Sequence, residues 1–342
     1  MRRSRFPFHA ALLCATLCAL ALFIAPAKAE DKSSAMVQYE ALSKDFVKLR
    51  DMDAKRLGPQ QLMEAAESLE GKVQKLVDSA AGDPSAKSKA QELLSMTLEF
   101  DGKMPEAKAA YGAYLDTLEA WQGRDYAVMV ARRAGDRLLQ QGKKAASALS
   151  YYDQLLEKYP DHPSRAYAFY QSGLACMQAR NYAEAARRFD QTATVAPESG
   201  LAPWALRRKA FALSEMVPAG GDFAEALATL ETLAQRYPTP HWKAYAYFRR
   251  GYLYAWQTKY LEAIVEYSKG IAAEPSDEYS EMGRKHIAQI QKIMEREVLD
   301  KLARENEPLD GKETPTAASS LGHGPMSMLS PIGDERLGEG QQ

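Results

Sequence analysis

Few side chains capable of covalent or metal chemistry stand at a working spacing in this 342-residue chain. Beyond the amino-terminal stretch the histidines are His162, His241, His286 and His323. No two of them lie at metal-ligand spacing. There is also no His-Glu-x-x-His, the pattern that puts two imidazoles and a general base on one helix face. His162 and His241 stand in proline turns and are expected to face solvent. Acidic pairs such as Asp51/Asp53 and Glu295/Glu297 fall on polar helix faces, where solvated charge is expected rather than general acid–base work. No Gly-x-Ser-x-Gly elbow is present, and Gly220-Gly221 lacks the Gly-Lys-Ser/Thr of a phosphate-cradling loop. Cys176 follows Gly173 by three residues and reads as a buried, inert thiol. The chain is expected to be no enzyme, with no cofactor and no metal. Its chemistry lies in aromatic side chains and arginine, which anchor binding surfaces.

The ends and the composition set the compartment. Hydrophobic residues at 46% and charged residues at 26% match an ordinary soluble globular chain. Met1-Arg2-Arg3-Ser4-Arg5 is a positive start, the apolar run Ala10–Ala25 follows, and Ala27-Lys28-Ala29 is a small-x-small cleavage site. The run is shorter than the ~20 residues that span a bilayer. Residues 1–29 are therefore expected to be a signal peptide, cleaved after Ala29 or, as second choice, after Ala27. The phenylalanine falls one place late for a twin-arginine signal, so ordinary export is expected. Cys14 and Cys18 lie inside the apolar run behind Leu13 and Leu17, where a lipoprotein cysteine needs a small residue. Cys176 is then the only mature cysteine, so no internal disulfide forms and the fold rests on its core. Four of the 44 Lys+Arg leave with the leader, so the mature chain carries 40 against 45 Asp+Glu, net −5. That balance argues against nucleic acid as a partner. The expected place is the periplasm, with the periphery of the outer membrane or secretion as alternatives, and no membrane span after cleavage.

Internal repetition organises the remainder. Tyr167–Pro197 aligns with Tyr245–Pro275: Gly173 falls on Gly251, Tyr182 on Tyr260, Glu184-Ala185 on Glu262-Ala263, Phe189 on Tyr267 and Pro197 on Pro275. Glycine lets a second helix approach, alanine does so from the other side, the following aromatic fills the space, and proline ends the second helix. Phe223-Ala224-Glu225-Ala226, Leu230 and Pro238 mark a unit from near Pro203, with extra residues around Pro218-Ala219-Gly220-Gly221. Gly142, Ala148, Tyr152 and Pro160 mark one from near Met129, and Gly102, Ala107 and Tyr111 one from near Ser88. The units run approximately 88–121, 129–162, 166–199, 203–240 and 244–277. Two helical stretches, about 35–56 and 59–79, precede them across Gly58-Pro59, with Val37, Leu42, Phe46 and Leu49 as an apolar face. The domain reading is 30–85 as a helical hairpin or diverged repeat, 86–277 as about five repeats, and 278–305 as a capping helix with Ile287, Ile290, Ile293 and Leu299 on one face. Residues 306–342, with six glycines, four prolines and no aromatic residue, are expected to be a disordered tail.

This spacing resembles the tetratricopeptide (TPR) repeat, 34 residues of helix–turn–helix. The turns Tyr159-Pro160-Asp161-His162-Pro163 and Tyr237-Pro238-Thr239-Pro240 resemble those of bacterial periplasmic TPR proteins, such as the TPR component of the outer-membrane β-barrel assembly machine and the Tol–Pal cell-division coordinator. Two features depart from those relatives: there is no lipobox cysteine and no long amino-terminal coiled coil. The resemblance covers about 88–277 and implies an all-α, TPR-type α-solenoid, a right-handed superhelix. It further implies that repeat positions 2, 5, 9 and 12 of the first helices line a concave groove. Those positions include Arg133 and Arg137, then Tyr167, Tyr170, Leu174 and Met177, then Trp204, Arg207 and Phe211, then Tyr245, Phe248 and Tyr252. Trp256 lies one residue beyond, and Arg208, Arg249 and Arg250 add charge nearby. Such a groove suits a peptide, its carboxylates on arginine and its apolar side chains on the rings. The same aromatics could equally pack helix on helix, and the sequence leaves both open. The function implied is a non-catalytic exported scaffold that binds a segment of an envelope protein, in envelope or outer-membrane assembly. The alternatives are peptidoglycan or exopolysaccharide binding on the aromatic groove, or a structural subunit of a secretion complex that uses its convex face and tail.

Overall fold

Proline and short polar side chains set where the helices begin. In the computed structural model, Pro59, Pro84 and Pro240 open their helices. Proline's missing N–H is no loss in a first turn. Asp83 accepts from the Ala86 N–H at 3.0 Å and Asn181 from the Glu184 N–H at 3.3 Å, two side-chain caps. The structure describes residues 33–54, 58–142, 145–217 and 223–305. The expected signal peptide, the residues Pro218–Gly221, His323 and the expected tail at 306–342 lie outside the described residues. Thirteen helices and no strand occur among the described residues. The chain divides into two compact units, residues 1–127 and 128–342.

The first unit holds α1 (Ser34–Ala54), α2 (Pro59–Ser79), α3 (Pro84–Phe100) and α4 (Met104–Gln122). α1 packs on α2 and α3, and α3 on both α2 and α4. Their apolar stripes meet in a core that includes Phe46, Leu49, Leu69, Val73, Leu94 and Leu98. Phe46 meets Phe100 edge-on at 6.4 Å between ring centroids. Val37 is exposed, so the apolar face read for α1 is buried only further along the helix. Lys103 bridges Asp101 and Glu70, each at 2.8 Å.

The second unit comprises most of α5 (Arg124–Gln140), then α6 (Ala145–Lys158), α7 (Arg165–Gln178), α8 (Tyr182–Val195), α9 (Leu201–Glu215), α10 (Ala224–Arg236), α11 (Pro240–Trp256), α12 (Tyr260–Ala273) and α13 (Glu278–Glu305). From α6 onward each helix packs on the next. Within the pairs one contact recurs. A Cβ built on Gly135 would lie 2.6 Å from the Tyr152 ring, on Gly173 2.7 Å from Phe189, and on Gly251 2.8 Å from Tyr267. The ring of the second helix therefore lies on the bare backbone of the first. In α3/α4, Ser95 takes the glycine's place and donates its hydroxyl to the Ala107 carbonyl at 3.0 Å.

The turn inside four of the pairs also recurs. Gly102, Gly142, Arg180 and Thr258 have φ of 78°, 68°, 56° and 58°, and each stands seven residues after Ser95, Gly135, Gly173 or Gly251. Around three of them the helix closes with the paired bonds of a Schellman motif. The Arg180 N–H reaches the Met177 carbonyl at 2.9 Å and the Asn181 N–H the Cys176 carbonyl at 2.8 Å. Gly102/Lys103 and Thr258/Lys259 do likewise. Gly102 and Gly142 are thus turn glycines. The packing glycine of the second repeat is Gly135, 13 residues before Ala148, where the later repeats have 12. One extra residue in that turn shifts the first helix of this repeat by one place.

Candidate functional site

Neighbouring first helices of the second unit are joined by arginine on tyrosine. The Arg132 guanidinium on α5 lies 3.9 Å from the Tyr167 ring centroid on α7. On α9, Arg207 lies 4.7 Å from the Tyr245 ring of α11 and 5.3 Å from Trp204. Counted from each repeat's packing residue, both pairs join position 5 of one first helix to position 2 of the next. An acid completes the first joint: the Tyr152 hydroxyl donates to Asp136 at 2.6 Å. Burial, and then the same Asp136 carboxylate, push the Tyr167 phenol up to about 12. Arg133 and Arg137, expected in the groove, are exposed. The groups that meet Tyr167 are Arg132 and Asp136, one residue earlier in each case, as the one-place shift dictates.

Several aromatics assigned to the groove belong to the packing. Tyr170 meets Phe189 edge-on at 5.6 Å. Tyr245 meets Tyr279 at 5.1 Å, and Phe248 lies against Tyr267, Tyr279 and His286 at 5.6, 5.7 and 5.4 Å. All three are buried, as is Arg207. Tyr167, Trp204, Phe211 and Tyr252 are half-buried. Two further tryptophans join them. Trp242 meets Trp204 edge-on at 5.0 Å, and the exposed Trp256 lies 6.2 Å from Tyr252. Sequence counting passed over Trp242 because it precedes the first groove position of its repeat. His241 beside it is exposed, with Nδ1 2.8 Å from Asp277. His286, by contrast, is buried, and its Nδ1 lies 2.9 Å from the Tyr267 hydroxyl.

The arginines separate by what holds them. Arg188 pairs with Asp153 and Glu184, both at 2.6 Å. Two arginines, first Arg187 and then Arg188, hold Glu184 down at about 2. Arg250, expected to add charge to the groove, instead turns to the second helices, pairing with Glu231 and with Glu266 at 2.9 Å. Arg208 is buried. Arg249 is 6% exposed and lies between Phe211 and Tyr252, at 5.8 and 5.4 Å from their centroids. No ion pair or hydrogen bond to Arg249 occurs among the described residues. Two flanking rings return about 0.5–2 kcal/mol to a cation, less than the several kcal/mol that burying a charge without its counter-ion costs. The site is thus a buried cation under a rim of half-exposed rings.

Cys176 is buried, and burial pushes its thiol up to about 11, so it stays protonated at neutral pH. Among the described residues no three His, Cys, Asp or Glu side chains gather as a metal site, and no helix is long and apolar enough to cross a membrane.

A tetratricopeptide repeat family model matches residues 133–162 and 204–240, which fall on α5/α6 and α9/α10. Similar solved structures include the C-terminal part of a TPR repeat-containing protein from Cytophaga hutchinsonii. It is 14% identical, with 73% of this chain and 97% of that one covered and a TM-score of 0.39. Another is a tetratricopeptide repeat protein from Parabacteroides merdae, 20% identical, covering 80% and 94%, with a TM-score of 0.34. No curated protein matches the chain. The family match and the paired helices agree: the fold is an all-α solenoid with tetratricopeptide repeats. Repeats of this kind present extended surfaces to other proteins.

Proposed function

We propose that this chain is an exported, non-catalytic scaffold whose face on α7, α9 and α11 takes a segment of another envelope protein. Arg249 carries the reading: a guanidinium nine-tenths buried, framed by Phe211 and Tyr252, with no anion of its own among the described residues. A ligand carboxylate supplies the missing charge, and planar guanidinium suits it. Trp204, Phe211 and Tyr252 receive the ligand's apolar side chains. A place in envelope or outer-membrane assembly rests on family resemblance alone.

The test is an envelope crosslinking pull-down with mature 30–342 beside a Trp204→Ala/Arg249→Gln/Tyr252→Ala variant, at low and high salt. The expected result is a protein captured by the first, lost by a variant of unchanged helicity, and weakened by salt. Equal capture by both would contradict the reading. The rim of Trp and Tyr faces also suits stacked sugar rings. Binding to peptidoglycan that barely responds to salt, with no protein captured, would replace the peptide by a glycan.

A further inference from the structure

Five exposed aliphatic side chains of the second unit stand on its last two helices. One face of the first half of α13 is buried, with Tyr279, His286 and Ile290 packed inward. Beyond Met294 the helix runs alongside the start of α12. There Val298, Leu299 and Leu302 are 58%, 66% and 48% exposed, and Leu261 and Val265 on α12 are 66% and 52% exposed. A groove of about 410 Å³ opens between the two helices, lined by Tyr260, Leu261, Met294 and Val298 with charged residues of both. Single exposed apolar residues are ordinary, but a paired stripe on adjacent helices marks a contact surface. A helix that ends a solenoid needs a polar outer face, and this one has an apolar face.

We propose that the chain's own segment Pro325–Ile332 occupies this groove. The chain continues 37 residues past Glu305, directly from the helix that forms one wall. Met294 lies about 17 Å back along that helix at 1.5 Å per residue. A 21-residue coil from Glu305 to Met326 spans about 25 Å, which is reach enough. Four large apolar residues, Met326, Met328, Leu329 and Ile332, fall within seven positions, with no charge among them. Methionine moulds to an irregular apolar slot. The tether holds the segment near millimolar effective concentration, so a weak contact suffices and an outside occupant must displace it.

Hydrogen exchange on the full mature chain tests this against a Met328→Asp/Leu329→Asp variant, whose substitutions lie beyond α13. Exchange over 258–265 and 294–302 is expected to rise several-fold in the variant, while α7 is unchanged and the chain remains a monomer at every concentration. Unchanged exchange in the variant would overturn the proposal. Protection that grows with protein concentration and survives the substitutions would also overturn it, assigning the groove to a second copy.

Discussion

Arg207 and Arg249 stand on adjacent first helices, each between two aromatic rings, yet their substitutions are expected to separate. Arg207 lies 4.7 Å from Tyr245 and joins two repeats. Arg207→Lys keeps the charge and loses the planar stack, so it should cost about 1 kcal/mol in a urea melt. Arg249 has no anion among the described residues. Arg249→Met keeps a comparable apolar volume and removes a buried charge, so stability should hold or rise while capture of the partner falls. Opposite signs for folding and binding at one residue distinguish a binding group from a packing group. Two backbone positions give independent checks. A Cβ at Gly251 meets both the Tyr267 ring at 2.8 Å and the Ala263 carbonyl oxygen at 3.0 Å, so Gly251→Ala should cost about 1–3 kcal/mol. Arg180 holds φ of 56° where the equivalent residues of the first two pairs are glycine, so Arg180→Gly should gain up to about 1 kcal/mol. Thermal unfolding reads both.

Where α11, α12 and α13 meet, His286 is enclosed by Phe248 and Tyr252 of α11 and Tyr267 of α12. Burial lowers its pKa from the ordinary 6.5. The unfolded chain therefore takes up the proton first as pH falls. The stabilisation is complete above about pH 6.5 and drains away as pH drops towards the folded value. The urea midpoint should fall between pH 7 and 5 more steeply in the native chain than in His286→Gln, and the difference in slope is the measurement. Helix pairing here was legible from sequence because a glycine and an aromatic 16 residues apart can meet only across a tight turn, as Gly173/Phe189 and Gly251/Tyr267 do. The first helix of the 129–162 repeat was not. Gly142 is a turn glycine, an extra residue separates Gly135 from Tyr152, and the one-place error carried the prediction from Arg132 and Asp136 to Arg133 and Arg137. Groove and core aromatics could not be told apart by position either. Trp204 and Tyr245 both stand at position 2 of their repeats, yet Trp204 is half-buried and Tyr245 is buried against Tyr279.

An α-solenoid of short helix pairs has its interior in each joint, so its long faces remain available for partners. On this chain the α7–α9–α11 face carries the aromatic rim and the anionless guanidinium. On the second-helix side Asp153, Arg188 and Glu266 stand in ion pairs, Glu266 with Arg250. That contrast is why the proposed binding surface is the α7–α9–α11 face. The most direct measurement places a photo-crosslinking residue at Tyr252 or Trp204 and, as control, at the exposed Thr232 of α10, in the full 342-residue chain. One protein crosslinked from both Tyr252 and Trp204, and absent from Thr232, is the predicted result. Crosslinks from Thr232 with none from Tyr252 or Trp204 would contradict the account.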